Sequence, residues 1–87
     1  MRLSKAINIG AILEHDLNSV GINSLEELKK CGSFSALLLL NKHYDVCLNK
    51  LYALEGAIQG IRWHNLAKEV KDDLKKQYNS LPIDFFN

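Results

Sequence analysis

Apolar residues recur along the chain at intervals of three and four, which is the period of an α-helix and not that of a β-strand. The pattern predicts a single all-α domain of five short helices packed around one core, spanning 1–87 with a C-terminal tail at 81–87. The predicted helices cover 9–20, 24–32, 34–40, 46–62 and 66–79, with Asp45 and Asn65 as N-caps of the last two.

Helix-terminating and helix-capping residues separate the first predicted helices. Gly21 and Gly32 stand where helices are expected to stop, because glycine adopts the left-handed conformation common there. Ser24 and Glu27 have the spacing of a capping box, in which each side chain satisfies a free backbone N–H group. The four leucines of 37–40 would cover nearly every side of the third helix, which predicts an element surrounded by others or one that meets a partner.

Composition narrows the class of protein. The chain has 87 residues, of which 47% are hydrophobic and 24% charged, so a folded domain is expected. Eleven Lys and Arg face ten Asp and Glu, giving a net charge of +1 and excluding a strongly basic tail. So short a chain leaves little room for a substrate pocket, and we expect a protein that is not an enzyme.

The cysteines and the longest apolar run indicate in which cellular compartment the protein is expected. Cys31 and Cys47 form no CxxC motif and are expected to be reduced thiols. The N-terminus lacks the apolar core of a secretory signal, and the longest unbroken apolar run, 36–40, is far too short to span a membrane. These observations predict a soluble cytoplasmic protein without a membrane segment.

Two stretches resemble a known family. The motif LNKLYALEGAIQGIRW at 48–63, together with NIGAILEHDLNSVGINSLEEL at 8–28, resembles the C-terminal domain of the TfoX (Sxy) competence regulators, and the resemblance covers 8–66. It implies the fold, and a regulatory role linked to transcription or competence. Family members that regulate competence usually carry a separate N-terminal domain, whereas this chain is expected to begin at the C-terminal module.

The segment 8–28 also looks like a helix-hairpin-helix module. In DNA-binding versions of that module, hairpin backbone N–H groups at a helix start bind phosphate. Here the hairpin runs from Asn8 to Gly10, and Lys29 and Lys30 could add positive charge. These four residues are the candidate nucleic-acid contacts.

The charge around this hairpin argues against nucleic acid. Glu14 and Asp16 follow directly, and no Lys or Arg occurs between Lys5 and Lys29. Carboxylates there are expected to flank an incoming phosphate and repel it. Nucleic-acid binding is therefore the alternative function and not the leading one.

Gly56 and Gly60 predict a close approach. A glycine inside a helix costs about 1 kcal/mol relative to alanine, and two on one face would let another backbone come near. That backbone is either another helix of the same domain, such as the first, or a second copy in a dimer. Glu55, in the same apolar helix, is expected to face solvent or to bind Arg62, Trp63 or a backbone N–H group.

The tail carries two aromatic residues, Phe85 and Phe86. They are expected to fold back over the core or to dock on a neighbouring chain. Three histidines, His15, His43 and His64, fall in different elements, so no metal site, cofactor or catalytic group is predicted.

Taken together, these features predict a non-catalytic interaction module. It would bind a protein partner, or itself as a homodimer, through surfaces near Gly56 and Gly60 and through the Phe85–Phe86 tail. The alternative is a nucleic-acid-binding module that contacts the phosphate backbone through the hairpin.

Overall fold

The computed structural model describes residues 1–82, and this part of the chain contains helices and no strands. The helices are α1 (Ala11–Ser19), α2 (Leu25–Cys31), α3 (Ser33–Asn41), α4 (Leu48–Gln59) and α5 (Lys68–Asn79). Two short 3-10 turns, Leu3–Lys5 and Trp63–Asn65, precede α1 and α5. The all-α prediction of five helices in one domain is confirmed.

Ser24 caps α2 as its position in the sequence predicts. Its Oγ accepts a hydrogen bond from the backbone N–H of Glu27 at 3.2 Å. The Glu27 carboxylate reaches one residue further back than expected and accepts from the backbone N–H of Asn23 at 3.3 Å. Gly32 ends the helix with a φ of 87°, a conformation that residues with a Cβ rarely adopt.

The boundaries of α4 and α5 differ from those predicted. The N-cap of α4 is Cys47, because the backbone from Asp45 to Cys47 is not yet helical. Helix α4 ends at Gln59 instead of residue 62, because Gly60 turns into the left-handed region with a φ of 75°. Asn65 belongs to the second 3-10 turn and does not cap α5, which begins two residues after Leu66.

Helix α3 lies at the centre of the core. Its residues Ala36, Leu37 and Leu40 are almost completely buried, and the two intervening leucines are partly buried, as the run of leucines predicts. Leu51 and Leu54 of α4 pack into the same core. Burying a leucine contributes about 1.5–3 kcal/mol, so this cluster is the main source of stability.

Candidate functional site

Asn8 occupies the hairpin before α1 with a φ of 72°, a conformation in which asparagine is better tolerated than most residues. Its side-chain Nδ2 donates to the carbonyl oxygens of Ile61, at 2.9 Å, and Ala53, at 3.3 Å. Its Oδ1 accepts from the backbone N–H of Trp63 at 3.4 Å. The side chain is therefore occupied inside the chain, joining the hairpin to the end of α4.

Gly56 is buried at the point where Asn8 meets α4. A Cβ atom at residue 56 would lie 2.5 Å from Asn8 Nδ2 and 2.7 Å from the carbonyl oxygen of Ile61. The glycine thus makes room for one side chain and for the returning backbone. The close approach predicted at Gly56 is made within the chain, but by Asn8 and the backbone of Ile61 and Trp63 and not by α1.

Gly60 serves a different purpose from Gly56. It lies just after the end of α4, and a Cβ atom there would meet nothing within 4 Å. The N–H of Ile61 bonds to the carbonyl of Gly56 at 2.9 Å, and the N–H of Gly60 bonds to that of Ala57 at 3.2 Å. This is the Schellman arrangement, which needs a left-handed residue. Of the two predicted interface glycines, only Gly60 is exposed.

Glu14 points inward, contrary to the expectation that it flanks a bound phosphate. Its side chain accepts hydrogen bonds from the backbone N–H of Ser4 at 2.9 Å and from Arg2 Nε at 3.2 Å. The residue is 8% exposed. The Ser4 N–H, and after it Arg2, lowers the pKa of this carboxyl below its ordinary value. It therefore ties the N-terminal segment to α1.

The other candidate nucleic-acid contacts are exposed but do not share one surface feature. Gly10 is the N-cap of α1 and lines a shallow groove with Ile12 and Lys50. Lys29 and Lys30 lie in the last turn of α2 and do not line that groove. Asp16 does line it, so a negative charge remains beside the hairpin as predicted.

Trp63 is sandwiched within an aromatic stack after α4. Its ring stacks on Tyr52 with centroids 6.0 Å apart and on His64 with centroids 3.9 Å apart. Lys71 Nζ lies 6.0 Å from the centre of the Trp63 ring and donates to the carbonyl of His64 at 3.0 Å. The stack closes one end of the core against α5.

A groove runs between the start of α3, the end of α4 and one face of α5, and we call it the α3–α5 groove. It encloses about 540 Å³. Its apolar surface comes from Phe34, Val70 and Leu74, and three carboxylates stand along it. The residues that line it are Gly32, Ser33, Phe34, Ser35, Glu55, Gln59, Glu69, Val70, Asp73, Leu74 and Gln77.

Two of the three carboxylates of the groove accept hydrogen bonds from neutral donors. Glu55 accepts from Ser33 Oγ and from Gln59 Nε2, each at 2.7 Å, so it is hydrogen-bonded as expected but not to the partners predicted. Asp73 accepts from Gln77 Nε2 at 2.9 Å. Within 1–82, none of the ion pairs closer than 4.0 Å involves Glu55, Glu69 or Asp73.

Metal-ligating side chains do not gather in the part of the chain that the structure describes. No group of three or more His, Cys, Asp or Glu residues there is arranged to hold a metal ion. His15, His43 and His64 are all exposed, in separate elements. Nor is any helix among residues 1–82 long and apolar enough to cross a membrane.

Sequence reasoning missed the α3–α5 groove, although α5 carries a signal for it. Val70 and Leu74 form an apolar pair four residues apart, and Glu69 and Asp73 form an acidic pair beside them. The lysines and acidic residues that alternate along α5 are also typical of an ordinary solvated face, which hides this signal. Phe85 and Phe86, the other predicted interface residues, lie outside the described residues.

Comparisons with known proteins agree with the resemblance at 8–66 and extend it. The sequence profile described as the TfoX C-terminal domain matches residues 1–78. A crystal structure of an uncharacterized protein from Listeria monocytogenes, in a triclinic form, is 48% identical, with a TM-score of 0.88 and 92% of each chain covered. A tetragonal-form structure of a protein of unknown function from Listeria monocytogenes is 49% identical, also with a TM-score of 0.88, covering 93% of this chain and 100% of that one. No functionally curated protein matches the chain significantly.

Proposed function

Since the chain belongs to the TfoX C-terminal domain family, and since its surface carries an apolar groove between three helices, we propose that it is a non-catalytic protein-interaction module. The groove supports this function because Phe34 and Val70 stay partly exposed there beside the buried Leu74. It replaces Gly56 as the proposed contact surface, since Gly56 is buried within the chain. A role in regulating competence, which the family suggests, and a cytoplasmic location, which the cysteine usage suggests, are further proposals.

Selection of random displayed peptides on the protein tests this function. Ser35 is exposed and lines the groove, so Ser35→Trp should fill it without disturbing the core. Asn49→Trp places the same ring on an exposed position of α4 outside the groove. We expect selected peptides to bind the wild type and Asn49→Trp alike and to lose roughly tenfold or more in affinity for Ser35→Trp.

Two results would count against an interaction module at this groove. One is a set of selected peptides whose affinity is the same for Ser35→Trp as for the wild type. The other is a selection that enriches no peptide. Sedimentation of the unliganded protein, run in parallel, reports whether a second copy of the chain is the partner.

Nucleic-acid binding at the hairpin remains the second candidate. It is supported by the exposed start of α1 at Gly10, which no side chain caps, and by Lys50 in the same groove. Phosphate binding must weaken steeply between about 50 mM and 200 mM salt. Anisotropy of a labelled duplex at both concentrations, with Lys50→Gln compared to Lys42→Gln, tests it: salt-independent or absent binding rejects this candidate.

A further inference from the structure

We propose that the α3–α5 groove takes a cationic amphipathic segment of a partner protein. One bulky apolar side chain of the segment lies against Phe34, Val70 and Leu74, and flanking Lys or Arg side chains pair with Glu69 and Asp73. This inference rests on the proposed function, because it names the chemistry of the partner that the groove binds.

In the described part of the chain, no Lys, Arg or His side chain lines the groove to balance its negative charge. Glu69 and Asp73 lie four residues apart on α5, so they are neighbours on one helix face. Like charges at this spacing destabilise a helix by a few tenths of a kcal/mol. A cation between them removes that repulsion. Glu55 adds a third carboxylate, and its donors, Ser33 and Gln59, carry no charge.

Two of the four lysines of α5 make contacts outside the groove. Lys68 pairs with Asp72 at 3.1 Å, and Lys71 donates to the carbonyl of His64. None of the four lysines of α5 lines the groove, and no other Lys, Arg or His residue within 1–82 does. Helix α5 thus presents both positive and negative charges to solvent but only negative charges to the groove. Charge complementarity therefore selects a cationic occupant.

Apolar surface inside the groove explains why the segment must also be amphipathic. Leu74 is buried, whereas Phe34 and Val70 retain partial exposure at the start of α3 and on α5. Covering such apolar surface contributes about 25 cal/mol per Å². A purely polar cation would leave this contribution unused. A segment with both properties gains from each.

The acidic groove argues against two other occupants. Phosphate groups of a nucleic acid would meet three carboxylates and be repelled. The last residues of the chain itself, IDFFN at 83–87, offer two phenylalanines, but their one charged side chain is Asp84. That aspartate would add to the repulsion between Glu69 and Asp73.

Fluorescein-labelled synthetic peptides test the inference directly. Three peptides share one length: leucines flanked by lysines, the same leucines flanked by glutamates, and the lysine peptide with its leucines replaced by serine. Anisotropy measures their affinity for the full chain. We expect the first peptide to bind roughly tenfold or more tightly than either of the others.

Charge reversal at two adjacent residues locates the binding. Asp73→Lys changes the groove, while Asp72→Lys makes the same change of net charge on an exposed neighbour that does not line it. We expect Asp73→Lys to lower the affinity for the leucine–lysine peptide roughly tenfold, and Asp72→Lys to lower it less than about twofold. Equal effects of the two variants, or equal affinity for the lysine and glutamate peptides, would overturn the proposal.

The result also separates this inference from the proposed function. If displayed peptides selected on the protein lose affinity for Ser35→Trp but are neutral or acidic, the interaction module stands and the cationic partner is wrong. If no peptide depends on Ser35, both are wrong. Thermal melting of each variant verifies that the domain is folded.

Discussion

At the residue scale, Asn8 and Gly56 form a matched pair. The asparagine tolerates a positive φ and supplies two donors and one acceptor to backbone groups of the α4 end. The glycine leaves the space that the amide needs. Both residues are engaged inside the chain, although the sequence analysis named both as candidate contacts with a partner. Their role is to fix the hairpin against α4.

Gly56→Ala should destabilise the domain despite alanine's higher helix propensity. The gain in propensity is about 1 kcal/mol, whereas overpacking against Asn8 and the Ile61 carbonyl costs about 1–3 kcal/mol. We expect a net loss in the free energy of unfolding, measured with urea.

Asn8→Gly provides the control for Gly56→Ala, since it keeps the backbone conformation and removes the side chain. The double variant should be more stable than the sum of the two single losses predicts, because the closest clash is gone. Strict additivity would show that Gly56 matters for some other reason.

Residue-level prediction from the sequence was uneven for physical reasons. The cost of two helical glycines signalled a special geometry near Gly56, and the structure has one. The sequence could not supply its partner, because Asn8 lies far away along the chain. Glu14 was expected to flank an incoming phosphate, and its burial depends on Arg2 and Ser4, whose contacts with it form only in the folded chain.

At the element scale, Gly60 sets the length of α4. Its left-handed conformation ends the helix and turns the chain toward the 3-10 turn at Trp63–Asn65. Gly60→Ala should cost about 1 kcal/mol, because a Cβ atom disfavours that conformation. Gly60→Asn should cost less, since asparagine tolerates it better. Urea unfolding of both variants measures the order, and equal costs would contradict this account.

The hydrogen bonds of Glu14, which join the N-terminal segment to α1, make the free energy of unfolding depend on pH. The pKa of Glu14 is lower in the folded chain than its ordinary value, because Ser4 N–H and Arg2 favour the ionised form. The unfolded state therefore binds more protons as the pH falls. The stabilisation is present above the ordinary glutamate pKa and is lost as the pH falls through the folded value.

Glu14→Gln measures this link. The stability difference between wild type and Glu14→Gln should be largest near neutral pH and should shrink on acidification. Chemical unfolding across the acidic range is the measurement. Glu69→Gln, an exposed change of the same kind on α5, is the control. A difference that stays constant with pH would contradict the assigned role of Glu14.

The helices were predicted correctly because the apolar periodicity continues through each segment. All five helices were expected, because each carries apolar positions spaced by three and four. Their ends were less well predicted, as at Gly60 and Asn65, because termination depends on backbone geometry that spacing does not encode. The two 3-10 turns were missed, since three residues are too few to display a period.

At the scale of the whole molecule, the α3–α5 groove is assembled from three helices. Its charge comes mainly from α5, and its depth depends on how α3 and α4 pack beside that helix. Periodicity within one segment describes each wall separately. The groove could not be predicted from the sequence, because it depends on how the three helices pack together.

Removing residues 82–87 distinguishes the two hypotheses for the aromatic tail. If Phe85 and Phe86 cover the core, the truncated chain should melt at a lower temperature with its mass in solution unchanged. If they dock on a neighbouring chain, the mass should fall from dimer to monomer with little change in melting temperature. Light scattering and thermal melting on the same samples provide both readings, and a full-length Asp84→Asn variant controls for charge.

The contacts of Asn8 have one more consequence, for how the sequence can vary. All three of its partners are main-chain groups, which residues 53 and 61 present whatever side chains they carry and residue 63 presents unless it is proline. Substitutions at those positions leave the hydrogen bonds in place as long as the backbone path is kept. Position 56 is coupled by its side-chain space to position 8, so a smaller residue at 8 relieves the closest clash of a larger residue at 56, while the contact with the Ile61 carbonyl oxygen stays. Residues 8 and 56, which are distant along the chain, are therefore expected to vary together, whereas the side chains at 53, 61 and 63 are not constrained by the Asn8 hydrogen bonds.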